Sequence, residues 1–166
     1  MKLYTCFRDL RFDNKVYPYF TGFIKNEIGS NEIDAFYASK FNEKWSGSID
    51  EKHEEKVYLL KNNNLWIFEF KCNKIKSQSF SLNKIDHIKK EFEINKDLFI
   101  SFSLKQIPKQ ENPFDKFNIT IIFKIKDNEN NPTIVDIEQN FNSKNHYFNN
   151  SLIKFYDILK EKSNYV

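Results

Sequence analysis

The sequence predicts a mainly β fold, of α+β type, that is completed by one C-terminal α-helix. Between residues 56 and 139, apolar and polar side chains alternate in seven short segments, the period of a strand with one buried face. Residues 144–160 change to a helical period, with an apolar stripe of Phe148, Leu152, Phe155, Tyr156 and Leu159. We therefore expect a seven-stranded antiparallel barrel or sandwich capped by this helix.

The first two strands are predicted at residues 56–61 and 65–72, where three asparagines form the turn of a hairpin. In the second strand Trp66, Phe68, Phe70 and Cys72 share one face, which is expected to pack in the core. Period-two alternation places the remaining strands at 76–82, 85–94, 98–104, 117–125 and 133–139.

The first 54 residues are predicted to form an N-terminal extension or subdomain, and residues 55–166 the main domain. Residues 3–12 are interpreted as a strand and residues 45–56 as a polar connector. Residues 31–41 are interpreted as a short helix, whose apolar side would carry Ile33, Phe36, Tyr37 and Phe41.

Charge disfavours a nucleic-acid-binding protein. The net charge is +3, both signs are interspersed, and Arg8 and Arg11 are the only arginines, whereas nucleic-acid binders concentrate basic residues on one face. Charges at residues 8, 9 and 11 interrupt any signal-peptide core, and no apolar run reaches the length of a membrane span. We therefore expect a cytoplasmic protein.

The segment Ser81-Leu82-Asn83-Lys84-Ile85, between the third and fourth predicted strands, carries a family resemblance. With the order of seven strands and a helix, it makes residues 55–161 resemble the pleckstrin-homology-like superfold, in which a Ser-Leu-x-x-Ile step is common at that corner. The resemblance implies two nearly orthogonal sheets with the helix at one open corner. This superfold includes lipid binders, peptide binders and scaffolds, so the resemblance leaves the function open.

The same resemblance bears on membrane lipids. Lipid-binding members hold inositol phosphates with basic residues on the first two strands and the loop between them. The matching positions here are Lys61 and Lys71, without an arginine on either strand, and the loop is only three asparagines long. We expect no specific binding of a membrane lipid.

No catalytic motif is evident. The densest acid and histidine cluster, residues 50–55, contains a single histidine, and neither His53 nor His87 has a second ligand at a usable spacing. We expect no catalytic residue, no metal site and no cofactor. An enzyme would require His53, Glu54, Glu55 and His87 to meet in one cleft.

The preferred interpretation is a non-catalytic binding or accessory module for a protein partner, whose identity and binding residues the sequence leaves unknown. Two alternatives remain. One is the enzyme described above, and the other is a small β-barrel that binds an apolar ligand and is lined by some of the eighteen phenylalanines.

Overall fold

A computed structural model describes residues 1–9, 17–39, 54–71, 74–94, 117–126, 131–139 and 152–163. These residues form a mostly β structure of two antiparallel sheets, with four and three strands, and a C-terminal helix. The helices are α1 (Leu3–Asp9), α2 (Tyr17–Ile28) and α3 (Leu152–Lys162). The strands are β1 (Ala35–Ser39), β2 (Glu54–Lys61), β3 (Asn64–Lys71), β4 (Lys74–Ser81), β5 (Ile85–Ile94), β6 (Phe117–Ile125) and β7 (Thr133–Gln139).

The four-stranded sheet has the order β1-β2-β3-β4, and each strand is antiparallel to its neighbour. Strands β2 and β3 form the predicted hairpin, with Lys61 opposite Asn64 and a two-residue turn between them. Asn62 lies in that turn at a φ of +54°, a left-handed conformation that asparagine tolerates better than most residues.

The three-stranded sheet has the order β5-β6-β7, and a 3₁₀ turn (Leu82–Lys84) connects it to β4. Leu82 and Ile85, the two apolar residues of this corner, are both buried in the core between the sheets. The backbone N–H of Leu82 donates to the carbonyl of Asn63 at 2.8 Å, which fixes the corner against the β2–β3 turn. Both apolar residues of the corner motif thus turn inward.

The first core lies between the two sheets and is covered by α3. Leu152, Phe155 and Leu159 are buried in one cluster with Ile119, Ile121 and Phe123 of β6, as the helical stripe predicts. The ring of Phe155 also reaches the other sheet, with its centroid 6.5 Å from that of Tyr37 and 6.4 Å from that of Tyr58. The helix therefore stabilises both sheets at once.

The second core lies on the opposite face of the four-stranded sheet, where the N-terminal helices pack. Leu3 of α1 and Ile24 of α2 are fully buried in a cluster with Phe36, Phe68 and Phe70 of the sheet. Trp66 is half-buried there, with its ring stacked on that of Phe68 at 6.1 Å. This sheet is thus a middle layer with apolar side chains on both faces.

Two N-terminal predictions are wrong. Residues 3–9 form the helix α1 instead of a strand, and Leu3 and Cys6, three residues apart, face the sheet while Tyr4 is exposed. Residues 35–39 form the strand β1 instead of a helix, because they pair with β2 over their whole length. The helix α2 was not predicted, and the supposed connector contributes residues 54–56 to β2.

Several predictions lie outside the described residues: the strand at 98–104, the helix before residue 152, and the side chains of Phe41, Cys72 and Phe148. The division at residue 54 stays a prediction. The described N-terminal residues nevertheless belong to the main body, since β1 is the edge of the four-stranded sheet and both helices cover it. The backbone N–H of Ile33 donates to the carbonyl of Met1, which holds the chain start in place.

Candidate functional site

Strand β4 is the most exposed element of the described structure. It is the last strand of the four-stranded sheet, paired to β3 on one side, and all six residues from Lys74 to Ser79 are exposed. Edge strands carry a row of backbone N–H and C=O groups that can pair with another chain. The strand is therefore a ready template for an added strand.

The two faces of β4 follow from its register with β3. Phe68 and Phe70 point toward the N-terminal helices, so their partners Ser77 and Ile75 lie on that face. Ile67 packs toward the second sheet, so Gln78 opposite it lies on the other face, together with Lys74 and Lys76 by alternation.

The face of β4 toward the second sheet is charged. Lys56 of β2, Glu69 of β3 and Lys76 of β4 lie in one row across the sheet, so that charge alternates from strand to strand. Beyond Ile67 this face thus changes from apolar to charged. Lys74 and Lys76 are exposed, and within the described residues no carboxylate forms an ion pair with either.

The face of β4 toward the helices is mainly uncharged. Ile75 is 37% exposed beside Phe70, which makes it one of the few large apolar side chains on the described surface. The hydroxyl of Ser77 donates to Oε2 of Glu27 on α2 at 3.1 Å. A ligand strand at this edge would therefore meet an apolar position at Ile75 and a carboxylate near Ser77.

A second polar group surrounds His87 on β5. Asp86 pairs with Lys124 and Lys89 with Ile122, so β5 has one residue more than β6 between these pairs and forms a bulge. Oδ2 of Asp86 lies 3.1 Å from Nε2 of His87 and 3.1 Å from Nζ of Lys126. The hydrogen bond from Lys126 lowers the pKa of Asp86, and the neighbouring His87 contributes to the lowering.

This group does not resemble a catalytic site. The His87 side chain is 67% exposed, and the lowered pKa of Asp86 keeps its carboxylate ionised rather than poised for proton transfer near neutral pH. The left-handed φ of +54° at His87 is accounted for by the bulge. We interpret the group as a surface ion cluster that stabilises the start of β5.

Glu54 and Glu55, which the enzyme alternative would bring together with His87, lie at the other end of the β2–β3 hairpin. Glu54 and Glu55 begin β2, at the end of the hairpin away from the 3₁₀ turn, while His87 follows closely after that turn. The length of β2 between Glu54 and Lys61 is roughly 23 Å at about 3.3 Å per residue. His53 lies outside the described residues.

The two lysines matched to inositol-phosphate binding also lie apart. Lys61 is beside the β2–β3 turn, whereas Lys71 ends β3 opposite Glu54, at the far end of the same hairpin. A separation of roughly 23 Å along the strand is too large for both lysines to hold one headgroup. The absence of lipid binding stays a prediction.

A lysine on β5 contacts two aromatic rings at the edge of the first core. Nζ of Lys90 lies 4.5 Å from the ring centroid of Tyr156 on α3 and 5.5 Å from that of Phe92. Both distances are typical of cation–π contacts. The contacts connect the half-buried Tyr156 of α3 to β5, while Phe92 remains 43% exposed.

Within the described ranges, no three or more His, Cys, Asp or Glu side chains converge as a metal site would require. The helices of those ranges include none that is long and apolar enough to cross a membrane. Sequence reasoning identified β4 as a strand but assigned no binding residue to it. The available signal was the segment from Lys74 to Ser79, which is polar except at Ile75, as is typical of an edge strand.

Comparison of the chain with models of protein families, with curated proteins and with solved structures finds no match.

Proposed function

We propose that the protein is a non-catalytic binding or accessory module that takes up an extended segment of a protein partner along β4. The observation that carries the proposal is the run of six exposed residues on an edge strand. In strand addition, backbone hydrogen bonds supply the affinity and the alternate side chains supply the specificity. An eight-residue strand is long enough for such an interaction.

The surface is favoured over the interior as the binding site. The space between the sheets is filled by large buried side chains, among them Tyr37, Phe123 and Phe155, all with exposures below 2%. A barrel with an enclosed apolar ligand would need that space. The exposed His87 and the Asp86–Lys126 ion pair beside it give less support to the enzyme alternative than β4 gives to a binding module.

The proposal includes the pleckstrin-homology-like arrangement. Its support is the order of four strands, a corner turn, three strands and a helix, together with the inward positions of Leu82 and Ile85. This superfold includes peptide binders and scaffolds, and both roles agree with a binding module. In this interpretation β1 is the first strand of the superfold and the chain before it is an addition.

Amide hydrogen exchange tests the site directly. The purified chain is mixed with eight-residue strand-forming peptides of several charge patterns, and exchange is followed by mass spectrometry over 74–81 and over 117–125. We expect peptide-dependent protection in β4 but not in β6, because β6 is already paired on both sides. A peptide N-methylated at alternate residues should give no protection, since it cannot complete the ladder. Binding without protection of β4, or no binding of any peptide, would contradict the proposal.

A further inference from the structure

We infer that the strand bound at β4 is acidic on the face toward the second sheet and apolar on the face toward the N-terminal helices. The inference rests on the proposed function and specifies its partner. It follows from the side chains that β4 presents on each face, because directly opposed cross-strand pairs set the preference of one strand for another.

The acidic preference follows from the row Lys56, Glu69 and Lys76 across β2, β3 and β4. A strand added beside β4 would continue this row, and a carboxylate is the side chain that continues the alternation of charge. Lys74 lies two residues away on the same face, so a second carboxylate opposite it would also be favourable. Two acidic residues separated by one residue are therefore the expected charge pattern.

The apolar preference follows from the other face. Ile75 is partly exposed beside the buried Phe70, so an apolar side chain opposite Ile75 would extend the second core over the edge. The carboxylate of Glu27 lies against Ser77 on this face, where it would repel an acidic side chain of the partner. Acidic residues are thus accepted on one face and disfavoured on the other, which makes the pattern strictly alternating.

A second copy of this chain is a poorer occupant. Pairing of two β4 strands would bring Lys74 and Lys76 of both copies to one seam, and β4 contains no acidic residue to face them. Lysines on an edge are a common protection against such self-pairing. They leave the edge open to a strand of opposite charge.

Three labelled peptides of equal length test the inference with the full chain: alternating Glu-Val, alternating Lys-Val, and the Glu-Val composition arranged in two blocks. Fluorescence anisotropy gives the affinities at low and at physiological salt. We expect the alternating Glu-Val peptide to bind about tenfold more tightly than either of the others, with the difference reduced by salt. Lys76→Glu should remove the preference between the two alternating peptides, because Lys74 and the new carboxylate would then select opposite charges. Lys160→Glu, the same charge change on an exposed position of α3, should leave it unchanged.

The outcomes distinguish a failure of the acidic partner strand from a failure of the proposed binding at β4. Equal affinity for both alternating peptides with protection of β4 amides overturns the acidic partner but retains the edge as a binding site. No protection of β4 by any peptide overturns the proposed function itself. Self-association in analytical ultracentrifugation, with β4 protection that rises with protein concentration, assigns the edge to a second copy and overturns the inference.

Discussion

The hydroxyl of Tyr37 donates a hydrogen bond to the backbone carbonyl of Glu138, with an oxygen–oxygen distance of 2.9 Å. Tyr37 belongs to β1 and Glu138 to β7, which are edge strands of different sheets. The 3₁₀ turn joins the sheets at one side, between β4 and β5, and this bond joins them at the other. One buried side chain therefore connects the two layers where the chain itself does not.

Tyr37→Phe should lower the free energy of unfolding by about 1–2 kcal/mol, because the substitution removes the bond and leaves the carbonyl of Glu138 without this donor. The ring and its packing against Phe155 are retained. Urea denaturation measures the change. Tyr156→Phe is the matched control, since the described contact of Tyr156 is through its ring to Lys90 and is kept. An equal effect of both substitutions would show that the bond across the sheets contributes nothing particular.

The same tyrosine makes the fold sensitive to alkali. Burial raises the pKa of Tyr37 strongly, and the nearby Tyr58 and Glu138 add to the effect. The neutral phenol is thus favoured in the folded state, so its contribution to stability is complete below the unfolded-state pKa of about 10 and is lost as the pH rises above it. The free energy of unfolding should fall more steeply between pH 9 and about 11 in the natural protein than in Tyr37→Phe. Parallel curves for the two proteins would contradict this assignment.

Strand β6 could be predicted from sequence because one of its faces lies in the core and the other is more exposed, whereas β2 and β3, which are buried on both faces, were predicted with the help of the asparagine turn between them. In β6, Ile119, Ile121 and Phe123 are buried while Lys124 is exposed, which gives a clear period of two. The helix α3 was equally clear, because Leu152, Phe155 and Leu159 form a single buried stripe. One-sided burial was enough to predict β6 and α3.

The N-terminal elements could not be predicted in the same way, because β1 is buried on both faces. Ala35, Phe36, Tyr37 and Ala38 are all buried, so the strand has no polar alternation and is easily confused with a helix. Its burial depends on α1 and α2, whose docking is a tertiary property. For α2 two local signals existed: Pro18 in the first turn, and Gly29 after the last, where it adopts a φ of +68°.

The candidate site could not be predicted from the sequence for a related reason. The strand at β4 was predicted, but its position at the edge of the sheet depends on which strands pair, and that order is set by long-range contacts. The row of Lys56, Glu69 and Lys76 likewise exists only through the register of three strands. Charge alternation along one strand can be predicted, whereas alternation across strands requires the fold.

Phe155→Ala should reduce the free energy of unfolding by about 3–5 kcal/mol, the usual cost of emptying the space of a buried phenylalanine. The side chain is 1% exposed and extends from α3 into the core between the two sheets. Thermal and urea denaturation give the value. Lys160→Ala, on the exposed side of the same helix, should change stability by less than about 0.5 kcal/mol. An unaltered melting temperature for Phe155→Ala would mean that α3 does not dock in this position.

The end of α3 is held by an ion pair to the residue before β1. Nζ of Lys162 lies 3.2 Å from Oδ2 of Asp34, an ion-pair distance without the directional geometry of a hydrogen bond. Lys162→Met should cost about 1 kcal/mol, since the enclosed carboxylate oxygen would lose its neighbouring cation. Lys160→Met removes an exposed charge from the same last turn and serves as the control for the helix dipole. A difference of less than about 0.3 kcal/mol between the two variants would show that the pair is not stabilising.

Ile24→Ala tests whether the N-terminal helices are part of the cooperative fold. Ile24 is fully buried between α2 and the four-stranded sheet, so its truncation should cost about 2–5 kcal/mol. Lys25→Ala on the exposed side of α2 is the control and should change stability little. If the helices are a layer of one fold, the loss should appear in the single unfolding transition that the fluorescence of Trp66 reports in a Trp45→Phe background, since Trp66 lies in the same cluster. A separate early transition, with the main one unchanged, would instead mean that residues before β1 unfold independently and that the four-stranded sheet is stable without them.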